Sequence, residues 1–159
     1  MNHDDESKPV SDLLDAGTTL MVGSSTHGTL AFRPLTVAGL DGDRVRILLD
    51  TDEEWVRELD ATQTLQVTLS DDRKNNWAWM LGEFSMSTEP ALIDELWTPF
   101  ADAYFDNGRE SAGIAVMTID VTEGRYWSAP SGRLGSLVSA VKAKFGDAEE
   151  AGEHGDITA

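Results

Sequence analysis

Cysteine is absent from the 159 residues, which removes disulfides, thiolate zinc sites, iron–sulfur clusters and cysteine nucleophiles from consideration. Long apolar runs are also missing: none approaches the roughly 18 residues that a membrane-spanning helix needs. Positive charge is scarce. Twelve Lys and Arg stand against 29 Asp and Glu, for a formal net charge of −17, and lysine occurs only at positions 8, 74, 142 and 144. Such a surface repels phosphate backbones and anionic lipids, so nucleic-acid and membrane partners are not expected. With its charged, acidic start, Met-Asn-His-Asp-Asp-Glu, the chain reads as an unexported, cytoplasmic protein. Acid-rich and lysine-poor composition is also the pattern of proteins adapted to molar salt, and a halophilic protein is the expectation here.

What is present fits one domain with a sizeable core. Residues 1–10 are polar and expected to be disordered, 11–146 to form the domain, and 147–159 to be a loose acidic tail. Ser11 can cap a helix to Ala16, stopped by Gly17. Strand-like segments at 18–26 and 29–40 flank His27-Gly28, and Asp41-Gly42-Asp43 leads into a third at 44–49, predicting a three-strand meander. A short crossover helix over 52–60 and a hairpin of 64–70 with 77–86 follow. Leu92, Ile93, Leu96, Trp97, Phe100 and Tyr104 mark a helix from about 89 to 106, with a kink or break at Pro99. Two further strands, 113–121 and 123–128, and an amphipathic helix carrying Leu134, Leu137, Val138, Val141 and Phe145 complete the pattern. About seven short strands with small helices between them predict an α+β fold built on a mostly antiparallel barrel.

Catalytic signatures are few. The three histidines lack zinc-site spacing, Gly23-Ser24-Ser25 is not a nucleophile elbow, and no phosphate-binding glycine loop occurs. No metal is expected, because acidic pairs such as Asp71-Asp72 belong on solvated faces of so acidic a chain. Five tryptophans, at 55, 77, 79, 97 and 127, can serve a core, an interface or a stacked heterocycle. Helical spacing puts Trp97 in the core, where Trp77 or Trp79 is also expected; Trp127, at a strand end, suits a pocket rim.

The order of several pieces resembles one family. These are Arg33-Pro34, Val56-Arg-Glu-Leu59, the Leu-Gln-Val-Thr-Leu-Ser strand at 65–70, Leu96-Trp97-x-Pro99, Tyr104-Phe-Asp-Asn-Gly108, Tyr126-Trp127 and Gly152-Glu-His-Gly155. Together they resemble the pyridoxamine 5'-phosphate oxidase-like split barrels, particularly the general stress protein 26 branch. The resemblance implies a split-barrel homodimer that holds FMN at the subunit interface and performs flavin-dependent redox chemistry on a small molecule. A barrel using the deazaflavin F420, or a non-catalytic stress protein with weak or no flavin binding, are the alternatives. By the same resemblance Arg33, Pro34, Leu35 and Thr36 would line the flavin; Leu49, Asp50 and Thr51 would approach its phosphate; Trp55 and Arg57 would flank that group; Trp127 would reach the ring; and Arg133 would face substrate. No catalytic acid or base is implied, since the cofactor carries the chemistry. One departure stands out: where the family commonly carries a phosphate-binding lysine, this sequence has Trp55 behind Asp52-Glu53-Glu54.

Overall fold

The computed structural model describes residues 7–129 and 153–158. In chain order it contains β1 (Lys8–Pro9), α1 (Val10–Leu13), β2 (Thr19–Thr26), β3 (Thr29–Thr36), β4 (Gly39–Asp41), β5 (Arg44–Asp50), α2 (Glu54–Arg57), β6 (Leu65–Asp71), β7 (Asn76–Ser87), α3 (Pro90–Leu96), α4 (Pro99–Tyr104), β8 (Ile114–Ser128) and β9 (Glu153–Thr158). One nine-stranded sheet runs β1-β9-β8-β7-β6-β2-β3, with β5 added beside β8 and β4 beside β5. All these pairings are antiparallel except β1 with β9. The sheet curls around a core that includes Leu20, Val22, Ile47, Val67, Met80, Ile119 and Tyr126, but it does not close. This is the split barrel the alternating segments predict. Among the described residues no helix is long and apolar enough to cross a membrane.

The expected meander is replaced by a split. Residues 29–40 do not continue as one strand: Val37 donates its N–H to the Thr18 carbonyl at 2.8 Å, and Ala38 donates to the Arg46 carbonyl at 2.8 Å. The chain thereby leaves β2 at residue 37 and joins β5 one residue later. β5 itself pairs with β8, so among the described strands β3 is bonded to β2 alone. His27 and Gly28, with φ of 50° and 79°, make the tight turn that returns β2 into β3, as the sequence suggests.

Further differences have local causes. The two late strands are one, β8, because Thr122 is the extra residue of a bulge: Leu81 pairs with Glu123 and Gly82 with Val121. The inward face of β7 is Ala78 and Met80, so Trp77 and Trp79 take the other face and are half-buried rather than core. Trp97 is half-buried against the smaller cluster of Ile93, Leu96, Phe105 and Val116, and its indole N–H reaches Asp102 at 2.8 Å. The break expected at Pro99 is present: α3 ends at Leu96, and Thr98 caps α4 by accepting from the Ala101 N–H. α1 starts one residue before Ser11, which caps nothing.

The described residues near both ends are strands of the sheet. Lys8 and Pro9 pair with Ile157 and Thr158, and β9 pairs with β8 through Arg125 to Ser128. Val10 is fully buried and Ile157 nearly so, and their apolar burial offsets the entropy of ordering these short segments. The helix expected over 134–145 lies outside the described residues.

Candidate functional site

The open edge of β3 borders an apolar cavity of about 350 Å³. Residues 34–38 form one wall, Ile47 and Leu48 of β5 the floor, and Leu96 of α3 with Ala101, Tyr104 and Phe105 the cover. In an antiparallel strand successive residues turn their backbone groups to opposite edges. Val37 turns to β2 and Ala38 to β5, so Thr36 presents its N–H and C=O, and Pro34 its C=O, to the cavity. Pro34 fits this assignment: its missing N–H would lie on the edge that no strand covers. The cavity therefore combines apolar walls with one donor and two or more acceptors on a rigid rail.

A second, more open hollow lies beside it, lined by Thr26, Thr29, Arg33, Trp55 and the carboxylates Glu53, Glu54 and Glu58. Arg33 is half-buried. Its Nη1 donates to the buried Ser24 Oγ at 2.8 Å, and its guanidinium carbon stands 4.3 Å from the Trp55 ring centroid, a cation–π stack. Burial lowers the Arg33 pKa while the Glu53 charge pulls the other way. Glu53 accepts from the Trp55 indole N–H with one oxygen and from the Tyr104 hydroxyl at 2.9 Å with the other. Burial, and then the Glu53 hydrogen bond and the charges of Glu53 and Asp50, push the Tyr104 phenol up to about 12. The Tyr104–Glu53 contact thus joins α4, over the cavity, to the turn before α2, beside the hollow.

The expected site residues divide into three groups. Pro34, Leu35 and Thr36 line the cavity, and Arg33 and Trp55 the hollow next to it. Leu49 is buried in the core; Asp50 and Thr51 follow it in a turn where Thr51 N–H donates to the Gly113 carbonyl at 2.8 Å and Asp50 Oδ1 accepts from Asp52 N–H at 2.8 Å. Arg57 is exposed and lines neither space. Trp127, 44% exposed, pairs with Trp77 on β7, and β7, β6 and β2 separate it from β3 within the chain. Arg133 lies outside the described residues. Sequence reasoning missed Tyr104 and Glu53 as partners; they are 51 positions apart, and only their opposed hydrogen-bonding chemistry hinted at a link. Among the described residues no group of three or more potential ligands could hold a metal ion.

An open-edged sheet with a heterocycle-sized apolar cavity under a short helix defines a class, the split barrels with a cleft along one strand. The family model for "pyridoxamine 5'-phosphate oxidase like" proteins matches residues 4–150, and the chain belongs to that family. Similar folds include a protein assigned as general stress protein 26 from Jannaschia sp. CCS1, with a TM-score of 0.73 and 22% identity over 94% of this chain and 95% of that one. The general stress FMN/FAD binding protein of Xanthomonas citri superposes with a TM-score of 0.65 at 22% identity, covering 76% of this chain and 86% of the other. A pyridoxamine 5'-phosphate oxidase-related, FMN binding protein of Nostoc punctiforme PCC 73102 gives 0.57 at 14% identity, with 76% and 78% covered. A comparison with curated proteins finds no match.

The two parts of FMN fare differently against these residues. A flat, largely apolar ring with polar edge atoms suits the cavity and its backbone rail. A phosphate does not suit the hollow, where Arg33 is already stacked and bonded and three carboxylates line the space. α2 is a single turn of four residues and supplies no compensating N-terminal anion site.

Proposed function

We propose that this chain binds a flavin ring against the open edge of β3 and works as a homodimeric, cytoplasmic oxidoreductase on a small molecule. The observation that carries the reading is the cavity itself: 350 Å³, apolar walls, and the backbone groups of Thr36 and Pro34 turned into it. A bound flavin supplies hydride and electron transfer. The chain's own part is to position the ring: Ile47, Leu48 and Phe105 exclude water, and the Thr36 N–H and C=O fix the polar edge. No side chain lining the cavity need act as acid or base.

The dimer has separate support. The outer face of β2 and β3 exposes Met21, Leu30 and Phe32, at 41%, 45% and 41%, and on the same side, across the polar Gln66, Thr68 and Ser70 of β6, lie Trp79 and Trp77. Exposed large apolar side chains grouped in this way suit a subunit interface. Trp127 lies on the same side, paired with Trp77, so a second copy rather than its own chain is what would bring it to a ring at β3.

The test is the visible spectrum of protein purified in molar potassium chloride, followed by titration with flavin and with F420. The reading expects a band near 450 nm, roughly that of a flavin, or saturable quenching of tryptophan emission by added flavin. A band near 420 nm would assign F420 instead, again an approximate property of that cofactor. Neither band, together with no quenching by either compound, would leave a cofactor-free protein and sink the proposal.

A further inference from the structure

The hollow beside Arg33 has the wrong charge for a phosphate and the right chemistry for hydroxyls. Among the described residues lining it, Arg33 is the one cation, against Glu53, Glu54 and Glu58. That cation is already placed and paired: Nη1 is bonded to Ser24 Oγ at 2.8 Å, one face is stacked on Trp55 at 4.3 Å, and Glu53 is its neighbouring counter-charge. Nor can Glu53 swing aside freely, because both its oxygens are held, one by the Trp55 indole and one by the Tyr104 hydroxyl. Displacing it would break both of these hydrogen bonds. A phosphomonoester carries between one and two negative charges at neutral pH, its second pKa being about 6. Entering the hollow, it would meet three carboxylates and an arginine whose charge the neighbouring Glu53 already offsets. Hydroxyl groups meet the opposite situation, since carboxylate oxygens accept from them, and the Thr26 and Thr29 hydroxyls both donate and accept.

Position gives this choice a consequence. Arg33 of the hollow and Pro34 of the cavity are consecutive residues of β3, and the Tyr104–Glu53 bond spans the boundary between the two spaces. A ligand whose ring fills the cavity therefore extends its substituent toward the hollow. We infer that this chain selects flavins by their tail, accepting the neutral polyhydroxyl chain of riboflavin at least as well as the phosphorylated chain of FMN. The inference rests on the flavin-ring reading above. It makes the uncharged flavin the physiological ligand class of the hollow.

Parallel titrations of the full chain with riboflavin and with FMN, followed by tryptophan quenching in the same buffer, test it. The riboflavin dissociation constant is expected to equal or fall below that of FMN. In the double variant Glu54→Gln/Glu58→Gln, whose two side chains are exposed and outside the Glu53 network, the affinity ratio should shift toward FMN by roughly 3- to 10-fold, as loss of two like charges requires. Wild-type FMN binding tighter than riboflavin, or a double variant that moves both ligands equally, would overturn the inference while leaving the ring reading intact. Saturable binding of neither flavin would overturn the ring reading, and this inference with it.

Discussion

Strand β3 borders two spaces of opposite character. Along residues 34–38 it faces an apolar cavity whose polar atoms are backbone groups; one residue earlier, at Arg33, it faces a hollow ringed by carboxylates. The cavity follows from topology, since any sequence that breaks at 37–38 and sends β5 to β8 leaves that edge open. The hollow is written in side chains, and Glu53, Glu54 and Glu58 could change without disturbing a strand. On the proposed reading, the fold supplies the space for a flat ring and the side chains beside it decide what is attached to that ring.

The largest expected effect breaks the cavity half. Phe105 is 5% exposed, and its ring lies between Trp97 at 5.4 Å and Tyr104 at 5.1 Å, so it anchors α4 over the cavity. Phe105→Ala should cost about 3–5 kcal/mol in urea-induced unfolding and weaken flavin binding with it. A loss below about 1 kcal/mol, too little for a packed aromatic, would mean that α4 is not held by this packing.

Salt should sharpen the charged half. The carboxylates of the hollow are part of a surface with a net charge of −17, whose self-repulsion is screened once the Debye length falls to about 3 Å near 1 M. The melting temperature should rise from dilute to molar potassium chloride; an unchanged value would remove the halophilic expectation.

A smaller effect reports the contact between the halves. Tyr104 ordinarily titrates near 10 and is raised to about 12 in the fold, first by burial and then by Glu53 and Asp50. Above pH 10 the unfolded chain then binds fewer protons at this site than the folded one, so stability falls as pH rises from about 10 to about 12. Tyr104→Phe should flatten that part of the melting-temperature profile and lose a little stability at neutral pH, the side chain being half exposed. Identical alkaline slopes for both proteins would contradict the link.

Much of this was legible in sequence. Alternation gave β2, β5 and β6, His27-Gly28 the turn, and Pro99 the break between α3 and α4. What escaped was non-local. No residue between 29 and 40 announces that the strand changes partners, because Val37 and Ala38 turn through backbone bonds to Thr18 and Arg46. The bulge at Thr122 looked like a turn, since one extra residue interrupts alternation much as a turn does. At the site, the resemblance led to Arg33 and residues 34–36, and composition flagged the acids before Trp55. It could not show Glu53 pinned between Trp55 and Tyr104, a contact made only when α4 folds over β3.

Thr36 gives the most direct test that a ring lies along the open edge. Thr36→Pro removes an N–H that bonds to no strand, so the β2–β3 ladder and the melting temperature should survive, as they do with Pro34 two residues before. Flavin affinity, measured by titration against the wild type, should fall about 2- to 12-fold, the value of one hydrogen bond at roughly 0.5–1.5 kcal/mol. Equal affinity in a fully folded variant would contradict the placement of the ring at β3.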